Sequence, residues 1–282
     1  MGDQGIPQAG TLLHDRYRLV EPLASGGMGT VWRAHDGLLD RPVAVKEVFL
    51  PAGMDAAERD LLRLRTMREA RTAARLRHPG VVTVYDVVEQ AGRPWIVMEL
   101  VRSRSLAQVL RDRGPLPEAE VASIGVQALG ALTAAHRAGV LHRDVKPGNV
   151  LLADDGRVVL TDFGIARFAG DATLTTAGLL VGSPSYISPE RARGEPLGPE
   201  SDLWSLGALL YTAVEGVPPF QREGPLPTLT AVLTDEVPVA ARAGALWPVV
   251  HGLLVKDPAR RDRKSTRLNS SHSLLSRMPS SA

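Results

Sequence analysis

The chain has no cysteine. Disulfide frameworks, thiolate nucleophiles and thiolate metal sites are therefore excluded. It also lacks an uninterrupted apolar run of the roughly 18 residues that a membrane-spanning helix needs, and Met1–Gly10 carries no signal-peptide core. Both absences lead to the expectation of a soluble, cytoplasmic segment, compatible with a membrane anchor elsewhere in a longer protein. A true excess of positive charge is missing too. The formal net charge is +2, but Lys264, Arg267 and Arg277 lie in a C-terminal stretch free of acids, and setting them aside leaves 30 of the 33 basic residues against 31 acidic ones. Composition gives no ground for a nucleic-acid partner. There is no internal repeat.

What remains is ordinary for a soluble globular chain: 282 residues, 44% hydrophobic and 23% charged, enough for one large domain or two lobes. Residues 1–14 are polar with Gly and Pro, and are expected to be flexible. Arg16–Val20 and Thr30–Ala34 flank a glycine-rich turn as the strands of a hairpin would, and Pro42–Val48 is a β-branched run. Asp55–Leu76 predicts a long helix with Leu61, Leu64 and Met67 as its apolar positions, and Val81–Val88 and Trp95–Leu100 predict two more strands. Beyond a linker at Glu99–Arg102 the pattern turns helical. Val121, Ile124, Ala128, Leu129, Leu132 and Ala135 recur at helical spacing, and Ser201–Glu215 and Trp247–Val255 are further apolar helical segments.

The chemistry-bearing residues are concentrated. His142-Arg143-Asp144-Val145-Lys146-Pro147-Gly148-Asn149 is followed thirteen positions later by Asp162-Phe163-Gly164. A carboxylate, an ammonium, an amide and a second carboxylate in one short span are what phosphoryl transfer from a metal-bound nucleotide needs. Upstream lie the glycine cluster Leu23-Ala24-Ser25-Gly26-Gly27-Met28-Gly29-Thr30-Val31 and the strand segment Val43-Ala44-Val45-Lys46. Glycines let a backbone approach phosphates closely. β-Branched and aromatic residues follow the cluster, unlike the helix that follows a dinucleotide-binding fingerprint.

Together these segments resemble the eukaryotic-type serine/threonine protein kinases, in the wording of bacterial, actinobacterial-like members. The resemblance spans residues 17 to 261 in the family's order. It implies an α+β bilobal fold, with a small antiparallel-sheet N-lobe carrying one long helix at 15–100 and a larger, mainly helical C-lobe at 101–261. It implies ATP with Mg²⁺ or Mn²⁺ as cofactor, protein substrates phosphorylated on Ser or Thr, and an N-lobe homodimer as a candidate assembly. Leu23, Gly26 and Gly29 would cover the phosphates, although Ala24 stands where the family expects glycine. Lys46 would hold the α- and β-phosphates and pair with a helical glutamate. Glu69, 23 residues on, is the leading candidate and Glu58 the competitor. Around the adenine, Val31 and Ala44 would form the roof, Leu151 the floor, Met98 the guard of the rear pocket and Glu99–Val101 the linker.

By the same resemblance Asp144 is the catalytic base, serving mainly to align the substrate hydroxyl. Lys146 neutralises charge on the moving phosphoryl group, and Asn149 and Asp162 hold the metal. Lys146 two residues after Asp144 points to serine/threonine rather than tyrosine specificity. His142 is expected as a packed histidine rather than a base. Arg143 is the expected receiver of an activation-loop phosphate on Thr173, Thr175 or Thr176. Gly182–Glu190 resembles the segment that docks peptide substrates, Asp202 the anchor of the catalytic loop, and Glu190–Arg261 a structural ion pair.

After Arg261 the resemblance stops. The family usually continues into a final amphipathic helix, whereas 262–282 is rich in Ser and basic residues with no sustained apolar face. Two readings stand: a translated vector or adapter junction on a shortened frame, or a natural disordered linker. A catalytically silent pseudokinase scaffold and a small-molecule kinase are the alternatives in function.

Overall fold

The computed structural model describes residues 7–26, 29–50, 53–163 and 184–261. Gly27, Met28, Gly164, the three threonines proposed as phosphoacceptors and the tail 262–282 lie outside the described residues. The chain forms two compact units. One runs to Arg77 and resumes over Val82–Arg102; the other takes His78–Val81 and, among the described residues, the chain from Ser103 on.

The first unit is a six-stranded sheet of β1 (Leu12–Leu13), β2 (Tyr17–Gly26), β3 (Gly29–Asp36), β4 (Arg41–Glu47), β5 (Val84–Gln90) and β6 (Arg93–Met98), with α1 (Ala56–Ala73) between β4 and β5. The strand order is β1-β2-β3-β4-β6-β5 and every pairing is antiparallel. Aromatic and β-branched residues at alternate positions drive this arrangement. Tyr17 and Leu19, Trp32 and Ala34, Val43 and Val45, and Trp95 and Val97 join one buried cluster. Each valine buried there contributes about 1.5–3 kcal/mol. Because side chains alternate along a strand, the intervening residues Val31, Ala44, Lys46 and Met98 share the opposite face. The register sets Val31 against Lys46 and Ala44 against Met98.

The β3–β4 turn is held by Asp36, whose carboxylate accepts Arg16 Nε at 2.7 Å, Arg16 Nη2 at 2.8 Å and the N–H of Leu38 at 3.1 Å. The Arg16 guanidinium and these backbone donors hold its pKa down at about 2, against the opposing effect of burial.

Helix α1 starts at a capping box in which Asp55 and Glu58 bond each other's backbone N–H. Its buried face is Leu62, Thr66, Met67, Ala70 and Ala73. Leu61 and Leu64, expected on that face, are instead 62% and 58% exposed. Leu61 and Leu64 lie three residues apart on one flank of the helix, whereas Leu62 begins the stripe Leu62, Thr66, Ala70 and Ala73 that packs inward. Strand β5 also begins at Val84 rather than Val81. Val81 belongs to the second unit, where it bridges Leu160.

The second unit contains α2 (Leu106–Arg113), α3 (Glu118–Arg137), α4 (Pro189–Ala192), α5 (Pro199–Glu215), α6 (Pro225–Thr234) and α7 (Trp247–Leu253), with a small sheet of β7 (Ser103–Ser105), β8 (Val150–Ala153) and β9 (Val158–Leu160) in that order. Helix α5 is the centre: every residue from Ser201 to Val214 is buried, so it is covered all round. Gly207 permits the close approach of α7, since a Cβ there would lie 2.8 Å from Leu253 Cβ.

Candidate active site

The loop between α3 and β8 is organised by a carboxylate from outside it. Asp202, in the first turn of α5, is almost fully buried. Its Oδ2 accepts the N–H of His142 and its Oδ1 that of Arg143, both at 2.8 Å. His136 Nε2, in the last turn of α3, lies 2.7 Å from Oδ2. Burial alone would raise the Asp202 carboxyl, but the His136 hydrogen bond and the backbone N–H of His142 outweigh it and hold the group below its ordinary range. Asp202 therefore works as an ionised clamp on two consecutive peptide N–H groups. Arg143 has φ of 63°, a left-handed conformation that costs a side-chain-bearing residue about 1–2 kcal/mol. The bond from its N–H to Asp202, and one from Arg191 Nη1 to its carbonyl, hold it there.

His142 is wholly buried, and burial pushes its pKa down. Its Nδ1 accepts the N–H of Asp144 at 3.3 Å and its ring centroid is 4.4 Å from that of Phe163. A neutral ring in contact with Phe163, with one nitrogen receiving a backbone proton, suits a packing role.

Beyond the clamp, three side chains converge. Lys146 Nζ is 2.9 Å from Asp144 Oδ2, and Asn149 Nδ2 donates to the same oxygen at 3.0 Å and to the Asp144 carbonyl at 2.8 Å. A 3-10 turn at Pro147–Asn149, closed by the Asn149 N–H on the Lys146 carbonyl at 2.9 Å, folds Lys146 and Asn149 back toward Asp144. With Nδ2 committed to Asp144, Oδ1 is the atom of Asn149 that could ligate a cation. Asp162 joins through the backbone, because the N–H of Thr161 donates to the Asn149 carbonyl at 3.0 Å. It also has a positive φ, 64°.

A second buried arrangement ties α4 to α5 and to the segment after α7. Glu190 in α4 and Arg261 form a buried, two-pronged ion pair at 2.8 and 3.0 Å. Ser201 Oγ donates to Glu190 at 2.7 Å, and the guanidinium lies 5.3 Å from the Trp204 ring centroid. Burial would raise the Glu190 carboxyl; Arg261 and Ser201 bring it below its usual range.

In the first unit, Lys46 is 4% exposed on β4. Glu58 is engaged at the start of α1 and exposed, whereas Glu69 lies three turns further along and is half-buried. Gly29 has φ of 141°, and a Cβ there would lie 1.8 Å from the Glu47 carbonyl oxygen, so only glycine fits. Gly26 faces open space and Leu23 is 47% exposed. Ala44 and Met98 are buried, Val31 and Val101 half-buried, and the Glu99 N–H bonds the Thr83 carbonyl at 2.8 Å. Leu151, on β8, belongs to the second unit and is half-buried.

The protein kinase domain family matches residues 17–261. The chain belongs to that family. Among similar proteins, the serine/threonine-protein kinase PknL of Mycobacterium bovis is 41% identical over 235 residues, covering 83% of this chain and 58% of the relative. The serine/threonine-protein kinase PknA of Mycobacterium tuberculosis is 41% identical over 266 residues, 91% of this chain and 60% of the relative. The probable serine/threonine-protein kinase CE0033 of Corynebacterium efficiens is 37% identical over 281 residues, 94% and 42%. The chain thus spans about half the length of these kinases. Two residues of the candidate site have no local sequence signal. His136 and Arg191 reach the loop only through tertiary packing, the first from six residues upstream of His142 and the second from 48 residues beyond Arg143.

Proposed function

We propose that the chain is the catalytic domain of a serine/threonine protein kinase, moving the γ-phosphoryl group of ATP to Ser or Thr hydroxyls of proteins. The observation that carries this reading is the convergence of Lys146 and Asn149 on Asp144, in a loop clamped by Asp202. The residues present fit ATP and its metal. Asn149 Oδ1 with the Asp162 carboxylate are the hard oxygen donors that Mg²⁺ or Mn²⁺ takes, and the glycines of the β2–β3 turn would let the backbone approach phosphate oxygens. When bound, the metal would neutralise phosphate charge. Lys46 would hold phosphate oxygens, with Glu69 as its orienting partner, since Glu58 is committed to the helix cap.

Asp144 would align the substrate hydroxyl and receive its proton late in transfer, because a carboxylate is a weak base. Lys146 supplies a fixed positive charge at the same place. The loop needs little rearrangement to do this, as its backbone is already pinned. Arg143 would receive phosphate added to Thr173, Thr175 or Thr176, with autophosphorylation as its source. Among the described residues no helix is long and apolar enough to cross a membrane; a cytoplasmic location, where ATP is available, is part of the proposal. The decisive test is incubation with radiolabelled ATP, Mg²⁺ and a protein acceptor, beside an Asp144→Asn variant. Transfer by the wild type and its loss in the variant support the enzyme. Equal labelling, or none with folded protein that binds nucleotide, favours a silent scaffold.

A further inference from the structure

We infer that a groove beside the catalytic loop selects protein segments bearing aspartate or glutamate near the acceptor hydroxyl, with Arg111 as the specificity-determining residue. This rests on the protein kinase reading above. The groove, about 740 Å³, is lined by Pro147 of the catalytic loop, Leu110 and Arg111 of α2, the Pro184–Tyr186 turn, Arg222, and Thr228 of α6. Pro147 directly follows Lys146, whose Nζ is 2.9 Å from Asp144, so a segment in the groove brings adjacent residues to the proposed base.

The groove is lined by two arginines and no carboxylate. The arginines are not equivalent. Arg222 Nη2 is 2.7 Å from Asp235 Oδ2 and is largely neutralised. Arg111 has no ion pair among the described residues. The nearest carboxylates along the chain are taken: Asp112 by Arg104, and Glu120 by Arg113 at 2.9 Å. A basic residue in the last turn of α2 also complements the helix dipole, but that does not account for a lining without acids. Four of the fifteen lining residues are proline, which offers no N–H; Ser185, Tyr186 and Gln221 add neutral donors, and the Arg111 guanidinium supplies the positive charge that an anion would meet. The remaining surface, with Ala107, Leu110 and the proline rings, suits an apolar neighbour of that anion.

The test uses three threonine-centred peptide pools, identical except that flanking positions carry Asp, Ala or Lys. For the wild type, kcat/KM on the Asp pool should exceed that on the Lys pool about tenfold, and the ratio should shrink with added salt because the charges are exposed. Arg111→Gln should remove the order and Arg111→Glu reverse it, whereas Arg113→Gln should leave it intact. Should the glutamate variant fold poorly, the glutamine variant and the wild-type salt dependence decide. Equal use of the three pools, or an order untouched by both Arg111 variants, overturns the groove inference alone. Wild-type protein that labels no pool overturns the kinase reading and this inference with it.

Discussion

Asp202→Asn replaces the clamp's second oxygen with an NH₂ group of nearly the same shape. The carboxylate now takes three donors: the N–H of His142 and Nε2 of His136 on one oxygen, and the N–H of Arg143 on the other. An asparagine carbonyl can serve one side only, leaving its NH₂ facing a donor on the other. A buried N–H deprived of its acceptor costs about 1–3 kcal/mol, which corresponds to a Tm drop of roughly 3–10 °C in a domain of this size. The kinetic effect should be larger than the thermal one. Arg143 is held in a left-handed conformation by that bond, and its release lets the next residue, Asp144, shift. Misplacing a reacting group by about 1 Å costs on the order of a hundredfold in rate. Steady-state kinetics at saturating ATP should therefore show kcat down about a hundredfold, with the KM for ATP little changed. His136→Gln spares both backbone bonds and should cost far less. A folded Asp202→Asn variant with kcat within about twofold of wild type would refute the clamp as the device that positions Asp144.

Three further outcomes are expected. Arg261→Ala strands the Glu190 charge in a buried site, so thermal unfolding should show a loss of about 3–5 kcal/mol; Glu190→Met with Arg261→Leu should recover only part of it, since the Val255 and Lys256 carbonyls still lose a donor. Glu69→Ala should lower kcat tenfold or more. Glu58→Ala, which removes only one arm of a helix cap, should cost below about 1 kcal/mol in a melt and leave kcat alone. Tm should fall in two stages on acidification. His142 is kept neutral by burial, so its contribution is present above about pH 6.5 and is lost below it as the unfolded chain takes up the proton. Asp36, Glu190 and Asp202 have lowered pKa values, so their contribution is full above about pH 4 and is lost as pH falls toward 2. A His142→Phe variant should lack the first stage and keep the second, and an unchanged two-stage profile in that variant would contradict the assignment.

The candidate site was legible in the sequence to the extent that its parts are contiguous. Asp144, Lys146 and Asn149 sit within six residues, and a 3-10 turn forced by Pro147 is enough to bring them together. The sheet was legible where residues alternate: the period of two that buries Val43 and Val45 necessarily puts Ala44 and Lys46 on the other face. Tertiary structure alone decided the buried side of α1, because Leu61 with Leu64 and Leu62 with Met67 mark two competing flanks and packing selects the second. It also engages Glu58 in a capping box, which favours Glu69 as the proposed partner of Lys46. His136 and Arg191 could not be found from their neighbours in the chain. A buried carboxylate or carbonyl takes whichever donor the fold presents, and that choice is made by packing over distances that no local pattern records.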